Sequence, residues 1–424
     1  MIYGMKSMSA QSYKTTFTIW LAVVLVLALA PNGYAGKKKK VAEPGPEQKK
    51  SNTIDHSKID TSKLVWPLPP DIPRIRYIKE IYGEEKPPVP EGAKPDKKKK
   101  SWMDRVAGLQ TTDSGAIKRE AKHILGKPYG IGVDSKNRVY VADSFVSAVF
   151  IFDLEKKETK LLRNGVEARF GTIIGLTVDD ADRIFVVDAL LHRVAVFDKD
   201  WKLETYFGDD QLEHPGGVAI DEENRLLYLV DTGKQRVAVF DADSFQFLRA
   251  IGGPPKNVGD DDPGTFSKPS NVAVAPDGLI YVSDTMNNRV QIFDADGNFV
   301  STFGKAGDGP GTFARPKGIA IDSDGHIWVA DAFQNRVQIF DKEGHLLGFF
   351  GSGGSLPGQF GVPSGVYLDK QNRAFVTEQL EGRLQVFRYV TESEAAALKD
   401  ERDKKKPASA KTSAQSAPVA RNKQ

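Results

Sequence analysis

The 424-residue chain has no cysteine, five methionines and six histidines. Without cysteine there is no disulfide framework, no thiolate metal site, no Cys nucleophile and no lipid-modified Cys at an export signal. Gly-x-Ser-x-Gly and His-Glu-x-x-His are missing too, which removes the nucleophile-elbow hydrolase and the two-His metalloprotease. Long apolar runs are scarce. The longest, Ile19 to Ala30, is too short to span a bilayer, which takes roughly 20 apolar residues, and suits a secretory h-region of about 7 to 15. Lys6 and Lys14 precede it, Pro31-Asn32-Gly33 breaks it and small residues follow, so residues 1–35 read as a signal peptide cleaved after Ala35. Lys37 to Lys40 favour the alternative of an uncleaved anchor facing outside the cytoplasm. Either way the body is expected to be exported, periplasmic or extracellular, with no transmembrane span in the mature chain.

Charge of one sign is missing only on average. The totals are 59 Lys plus Arg against 56 Asp plus Glu, yet residues 123–390 carry 28 basic and 38 acidic side chains, and the remainder carries 31 and 18. An acidic body with basic ends lacks the clustered cations that displace counterions from phosphates, so no nucleic acid is expected as its partner. The basic ends suit peripheral contact with an anionic envelope, or serve as solvated spacers. Residues 36–70 and 84–122 are rich in Lys and Pro and read as a disordered linker and a connecting segment. Residues 391–424 read as a charged, Ala/Ser/Lys-rich disordered tail, with Thr391 to Lys406 capable of a short helix.

With 40% hydrophobic residues and 39 glycines the chain can build a large core, and what it builds is repetitive. A β-branched or aromatic run ending in an acid occurs six times, at Asp143, Asp188, Asp231, Asp284, Asp331 and Glu378, at spacings of 45, 43, 53, 47 and 47 residues. Most units open on a Pro about fifteen residues before the acid, as at Pro128 and Pro316, and four continue into Arg-Val-x-hydrophobic-Phe. Short alternating runs separated by Gly, Asn and Asp are antiparallel strands, and four per unit make a propeller blade that buries both faces only when neighbours stack on it. The prediction is an all-β, six-bladed propeller of four-stranded antiparallel blades. Unit six stops at Phe387-Arg388-Tyr389 without an outer strand, while residues 74–83 match the outer-strand pattern upstream of unit one. They are expected to complete blade six and close the ring, removing an exposed sheet edge. On that reading Ile78→Pro takes a donor from the ladder. The domain is thus 71–390, with six repeats in 123–390.

The Pro-x-Gly-Val-Ala-Val-Asp opening, Tyr-Val-x-Asp centre and Asn-x-Arg-Val-Gln-Ile-Phe-Asp close resemble NHL repeats, over residues 124–389. Asp284 to Asp294 and Asp331 to Asp341 are the nearest copies; unit one has Ala148 where the Arg belongs and unit two Ile173 where the Pro belongs. The resemblance implies the propeller but leaves function open among RNA binding, protein binding, extracellular sensing and, in one branch, amidating-lyase chemistry. That branch is implied to hold zinc with a His following the repeat's Pro. Here those positions are Tyr129, Gly216, Ser270, Lys317 and Ser364.

Other candidates read structurally. The pairs Asp188 with Arg193, Asp231 with Arg236, Asp284 with Arg289, Asp331 with Arg336 and Glu378 with Arg383 recur too often for one active site and read as structural ion pairs. Gly-rich stretches such as Gly304 to Gly311 follow a strand without opening a helix, so they read as inter-blade loops rather than phosphate cradles. Asp260 to Asp262 lack the alternating spacing of a calcium loop. His123, His192, His214, His326 and His345 fall at unlike points of their units, so no metal and no other cofactor is expected. What remains is the loop face around the Pro-x-Gly openings, where Lys127, Tyr129, His214, Lys268, Arg315 and Lys317 gather positive and aromatic character. The function expected is a non-enzymatic scaffold, a monomer that binds a protein or peptide there, against a merely solvated face. The alternatives are a metal-dependent propeller enzyme of lyase or lactonase type and an RNA-binding propeller.

Overall fold

The computed structural model describes residues 59–84 and 124–405, apart from 258 and 260. The signal segment, the Lys-rich stretch up to residue 58, the connecting segment from residue 85, His123, Asp260 and the tail beyond 405 lie outside the described residues.

Six antiparallel sheets ring a central axis, in chain order. Blade 1 spans Pro128–Val133, Arg138–Asp143, Ala148–Asp153 and Glu158–Arg163, and blades 2 to 5 repeat this sequence of strands through Phe350. The innermost strands of successive blades pack side by side around the axis, blade 6 against blade 1 included. Alternation alone does not describe the second and third strands of each blade: Val139 to Ala142 and Val149 to Phe152 are buried at every position, because each blade is covered on both faces by its neighbours. Large rings fill these inter-blade seams; Phe303, Phe313 and Phe340 form one such cluster, with centroids 4.9 to 6.4 Å apart. In blades 2 to 5 the outer strand runs directly into a glycine with positive φ. Gly304 has φ of 93°, and a Cβ there would lie 2.5 Å from the Phe313 ring, so only glycine lets the chain turn under that ring.

The ring closes as the sequence indicates. Ile75–Ile81 pairs antiparallel with Arg383–Tyr389, completing blade 6 with Pro363–Leu368 and Arg373–Glu378. Ile78 sits where the register shifts between Tyr77 and Lys79, and its side chain is 43% exposed. It is therefore the bulge residue of the closing strand, a position where proline is tolerated better than in a regular stretch of ladder. Blade 6 also has a fifth strand. Val65–Trp66, placed in the linker by composition, pairs with the closing strand after a 3-10 turn at Thr61–Lys63. The linker expectation fails here because Trp66 finds an apolar seat, 5.7 Å from the ring of Phe350 and 6.0 Å from that of Phe387.

The tail begins with the short helix that its sequence allows, over Glu392–Lys405. Its start is a capping box: Glu394 N–H donates to the Thr391 hydroxyl at 3.3 Å while Thr391 N–H donates to the Glu394 carboxylate at 3.0 Å. Glu392 N–H donates to Asp324, which also accepts from the Tyr389 hydroxyl, so the helix is tied to blades 5 and 6. Among the described residues no helix is long and apolar enough to cross a membrane.

Candidate functional site

In five of the six blades the start of the inner strand faces the central acid, as in Pro128 with Asp143, Pro215 with Asp231 and Pro316 with Asp331. The Pro-x-Gly openings and the turns after the acids therefore share one end of the ring, the loop face. These acids do a job that the pairing pattern hides. Buried Asp331 accepts N–H groups from Ala314 and Arg315 of the incoming loop and from Phe333 and Gln334 of its own turn, at 2.7 to 3.1 Å. Asp188 holds Gly171, Thr172, Leu190 and Leu191, and Asp143 holds Gly126, Lys127, Phe145 and Val146, in the same way. A carboxylate with four backbone donors fixes two loops at once.

The repeat pairs lie directly opposite one another in register, but only some are ion pairs. Arg289 Nε donates to Asp284 at 2.9 Å, and Arg383 forms a buried pair with Glu378 and reaches Glu80 of the closing strand at 2.6 Å. Arg236 stands 3.7 Å from Asp231. Arg193 instead covers the Tyr206 ring at 3.7 Å and donates to the Arg169 carbonyl. Arg336 lies over Phe349 and donates to the Asp308 carbonyl. The uniform pairing expected of these five is thus corrected in blades 2 and 5, where an aromatic of the outer strand, Tyr206 or Phe349, seats the guanidinium instead. Burial raises the carboxyl groups of Asp284 and Glu378 above their ordinary values, against the pull of their arginines and amide donors.

Of the six loop-face candidates, Lys127, His214, Lys268 and Arg315 form the rim, each just ahead of the Pro that opens its blade. Lys127 and Lys268 are exposed, the latter with φ of 50°. The His214 ring lies 3.3 Å from the Ala189 carbonyl and 5.4 Å from the His192 ring, and Arg315 covers the Phe333 ring at 5.0 Å. Tyr129 and Lys317 do not join the rim. They point into the channel, where Lys317 Nζ donates to the Tyr129 hydroxyl at 3.3 Å across the intervening blade 6.

The channel has a volume of about 540 Å³. At the loop-face mouth its polar groups are spent on joining blades. Ser364 donates to the Pro128 carbonyl and Thr377 to that of Tyr129, both at 2.8 Å; Thr285 reaches the Pro316 carbonyl at 2.8 Å and Thr232 that of Pro269 at 2.7 Å. Ile131, Leu176, Val218, Val272, Ile319 and Val366 line the middle. The opposite mouth is acidic, with Asp134, Asp179, Asp180, Asp182, Glu222 and Asp369. Pattern reasoning missed this end, although its signal is plain: an acid closing the inner strand with Arg four residues on, which the structure joins as Asp134 with Arg138, Asp179 with Arg183 and Asp369 with Arg373. Glu222 is the unusual member. Burial, then the charges of Asp180 and Asp179, push it up to about 7 in spite of Arg225 at 2.7 Å.

Metal chemistry finds few donors. Among the described residues no group of three His, Cys, Asp or Glu is arranged to hold a metal ion. Tyr129, Gly216, Ser270, Lys317 and Ser364 do meet at one mouth, but a phenol, an ammonium, two hydroxyls and a glycine do not form a zinc ligand set. At the Asp261-Asp262 loop it is the Arg289 guanidinium that the carbonyls of both residues accept from.

Repeats and fold together define the class: a six-bladed β-propeller built from NHL-type repeats. The 6-bladed beta-propeller family model matches residues 261–418. The chain is 33% identical over 109 residues to the probable peptidyl-alpha-hydroxyglycine alpha-amidating lyase pgal-1 of Caenorhabditis elegans, covering 26% of this chain and 30% of that protein. It is 30% identical over 97 residues to NHL repeat-containing protein 2 of Bos taurus, covering 22% of this chain and 13% of the relative. Each match thus spans less than a third of the curated relative. A solved structure from Bacteroides thetaiotaomicron, of unknown function, overlays with a TM-score of 0.50 at 18% identity, over 63% of this chain and 70% of its own, which bears on the fold.

Proposed function

We propose that this chain is an exported, non-enzymatic propeller that receives a protein or peptide partner on its loop face. The observation that carries the reading is the division of labour at that face. The acids clamp backbone and the mouth hydroxyls join blades, whereas Lys127 and Lys268 stand exposed, and Arg315 lies over Phe333, on a rim held in place by those clamps. A rigid rim that carries cationic side chains suits recognition better than turnover. Export rests on residues 1–35 and is tested by fusing residues 1–58 to a phosphatase active only outside the cytoplasm.

Photo-crosslinking in intact cells from position 127 or 268 tests the partner reading, with the Arg315→Glu/Lys317→Glu double variant as comparison. A discrete adduct, reduced in the double variant at unchanged thermal stability, is expected. Equal adduct in both chains moves the contact elsewhere. The match to the amidating lyase keeps one enzymatic reading in view. A stoichiometric, tightly held zinc or calcium in purified protein, with turnover lost on its removal, would replace the scaffold reading.

A further inference from the structure

The loop face carries a feature that the cations alone do not explain. Two residues past the central acid, five of the six blades expose a large apolar side chain: Phe145 (74% exposed), Leu190 (60%), Met286 (54%), Phe333 (61%) and Leu380 (73%). Blade 3 has Gly233 there, beside the exposed Glu213 and His214. The turns that present these side chains are held rather than frayed. The N–H groups of Phe145, Leu190 and Phe333 donate to the acids of their own blades at 2.9 to 3.1 Å, which leaves the side chains aimed out of the ring. The inter-blade cores are filled without them. Large apolar groups repeated at one position on one face, and fixed there, mark an interaction surface.

Charge selects the occupant. Residues 123–390 hold 38 acidic against 28 basic side chains, yet the rim residues beside this crown are Lys127, Lys268 and Arg315, in the same blades as Phe145, Met286 and Phe333. Arg315 lies over the face of Phe333 at 5.0 Å, so cation and apolar anchor form one unit there. We infer that the crown docks an acidic segment of a partner protein, its apolar side chains seated on Phe145, Leu190, Met286, Phe333 and Leu380 and its carboxylates meeting the rim cations. The inference rests on the platform reading above and gives it a ligand chemistry.

The test is fluorescence anisotropy with a fluorescein-labelled peptide in which Glu alternates with Leu or Phe. Matched controls carry Lys for Glu, or Ser for the apolar residues. The full chain is expected to bind the acidic peptide, more weakly as salt rises, and neither control. The Phe145→Ser/Phe333→Ser/Leu380→Ser variant, whose changes are all on the surface, is expected to lose about tenfold or more in affinity while melting as the wild type does. Equal binding by that variant, equal binding of the Lys peptide, or no binding at roughly 100 μM overturns the inference. So does a dimer that dissociates in the triple variant, which would seat a second copy on the crown, or a crosslink from position 145 to residues 85–123 of the same chain. If the triple variant still forms its adduct in cells, the crown fails while the platform reading stands. If it and the Arg315→Glu/Lys317→Glu variant both crosslink as the wild type does, both fail.

Discussion

Asp331 illustrates how one side chain sets a loop and a turn. It is fully buried and accepts four backbone N–H groups, so Asp331→Ala strands several donors and is expected to cost about 3 kcal/mol or more in chemical denaturation. Arg336, opposite it in register, donates to the Asp308 carbonyl and covers Phe349; Arg336→Ala is expected to cost about 1 kcal/mol or less. Near-equal losses in the two variants would restore the ion-pair reading for this blade. Glu222 makes the prediction about pH. Its carboxyl is raised to about 7 in the folded state by burial and by Asp180 and Asp179, so the folded protein binds a proton that the unfolded chain releases near its ordinary value. The contribution is present below the unfolded value and lost as pH rises through about 7. The stability difference between wild type and Glu222→Gln is expected to shift against the wild type over that window, and a pH-independent difference would refute the assignment. At this scale the sequence showed which positions repeat but not what they hold. The Asp and Arg spacing is visible, whereas two of the backbone donors that claim Asp331 come from the distant residues 314 and 315, which carry no side-chain signature for the role.

The closing strand is the element on which the ring depends. Tyr77 is buried and meets Phe387 edge-on at 5.6 Å, so Tyr77→Ala is expected to cost about 3 kcal/mol in thermal or denaturant unfolding. Ile78→Pro, at the exposed bulge, is expected to be far milder. A mild Tyr77→Ala would mean that blade 6 does not need the strand. The strand itself was legible because its alternation and terminal glycine copy the outer strands of other blades. The bulge was not legible, since one inserted residue leaves both flanking runs intact. Neither was Val65–Trp66: two residues set among lysines and prolines carry no period, and only the presence of Phe350 and Phe387 gives Trp66 a place. The helix over Glu392–Lys405 lies between these cases. Its Thr-x-x-Glu start can be read directly, but its attachment through Asp324 depends on a turn in blade 5.

For the whole molecule the blade count and order came straight from the period, because a repeat of strands has few ways to bury both faces. The loop-face rim was legible as a set of positions. The separation of Tyr129 and Lys317 into the channel was not, since it depends on which way the first residue of an inner strand points. Closure has a further geometric result. Gly83, just past the closing strand, bridges to Ile124 just before blade 1, and the Tyr82 carbonyl accepts from Leu125 N–H at 2.8 Å. A chain with residues 85–123 replaced by a short Gly-Ser connector is therefore expected to fold and melt close to the full-length protein, since the ends to be joined already touch. A large drop in melting temperature would show that the segment contributes to the ring. Residues 85–123 thus begin and end at one doorway beside the loop face, where evolution can lengthen, shorten or rewrite them without disturbing the wheel behind.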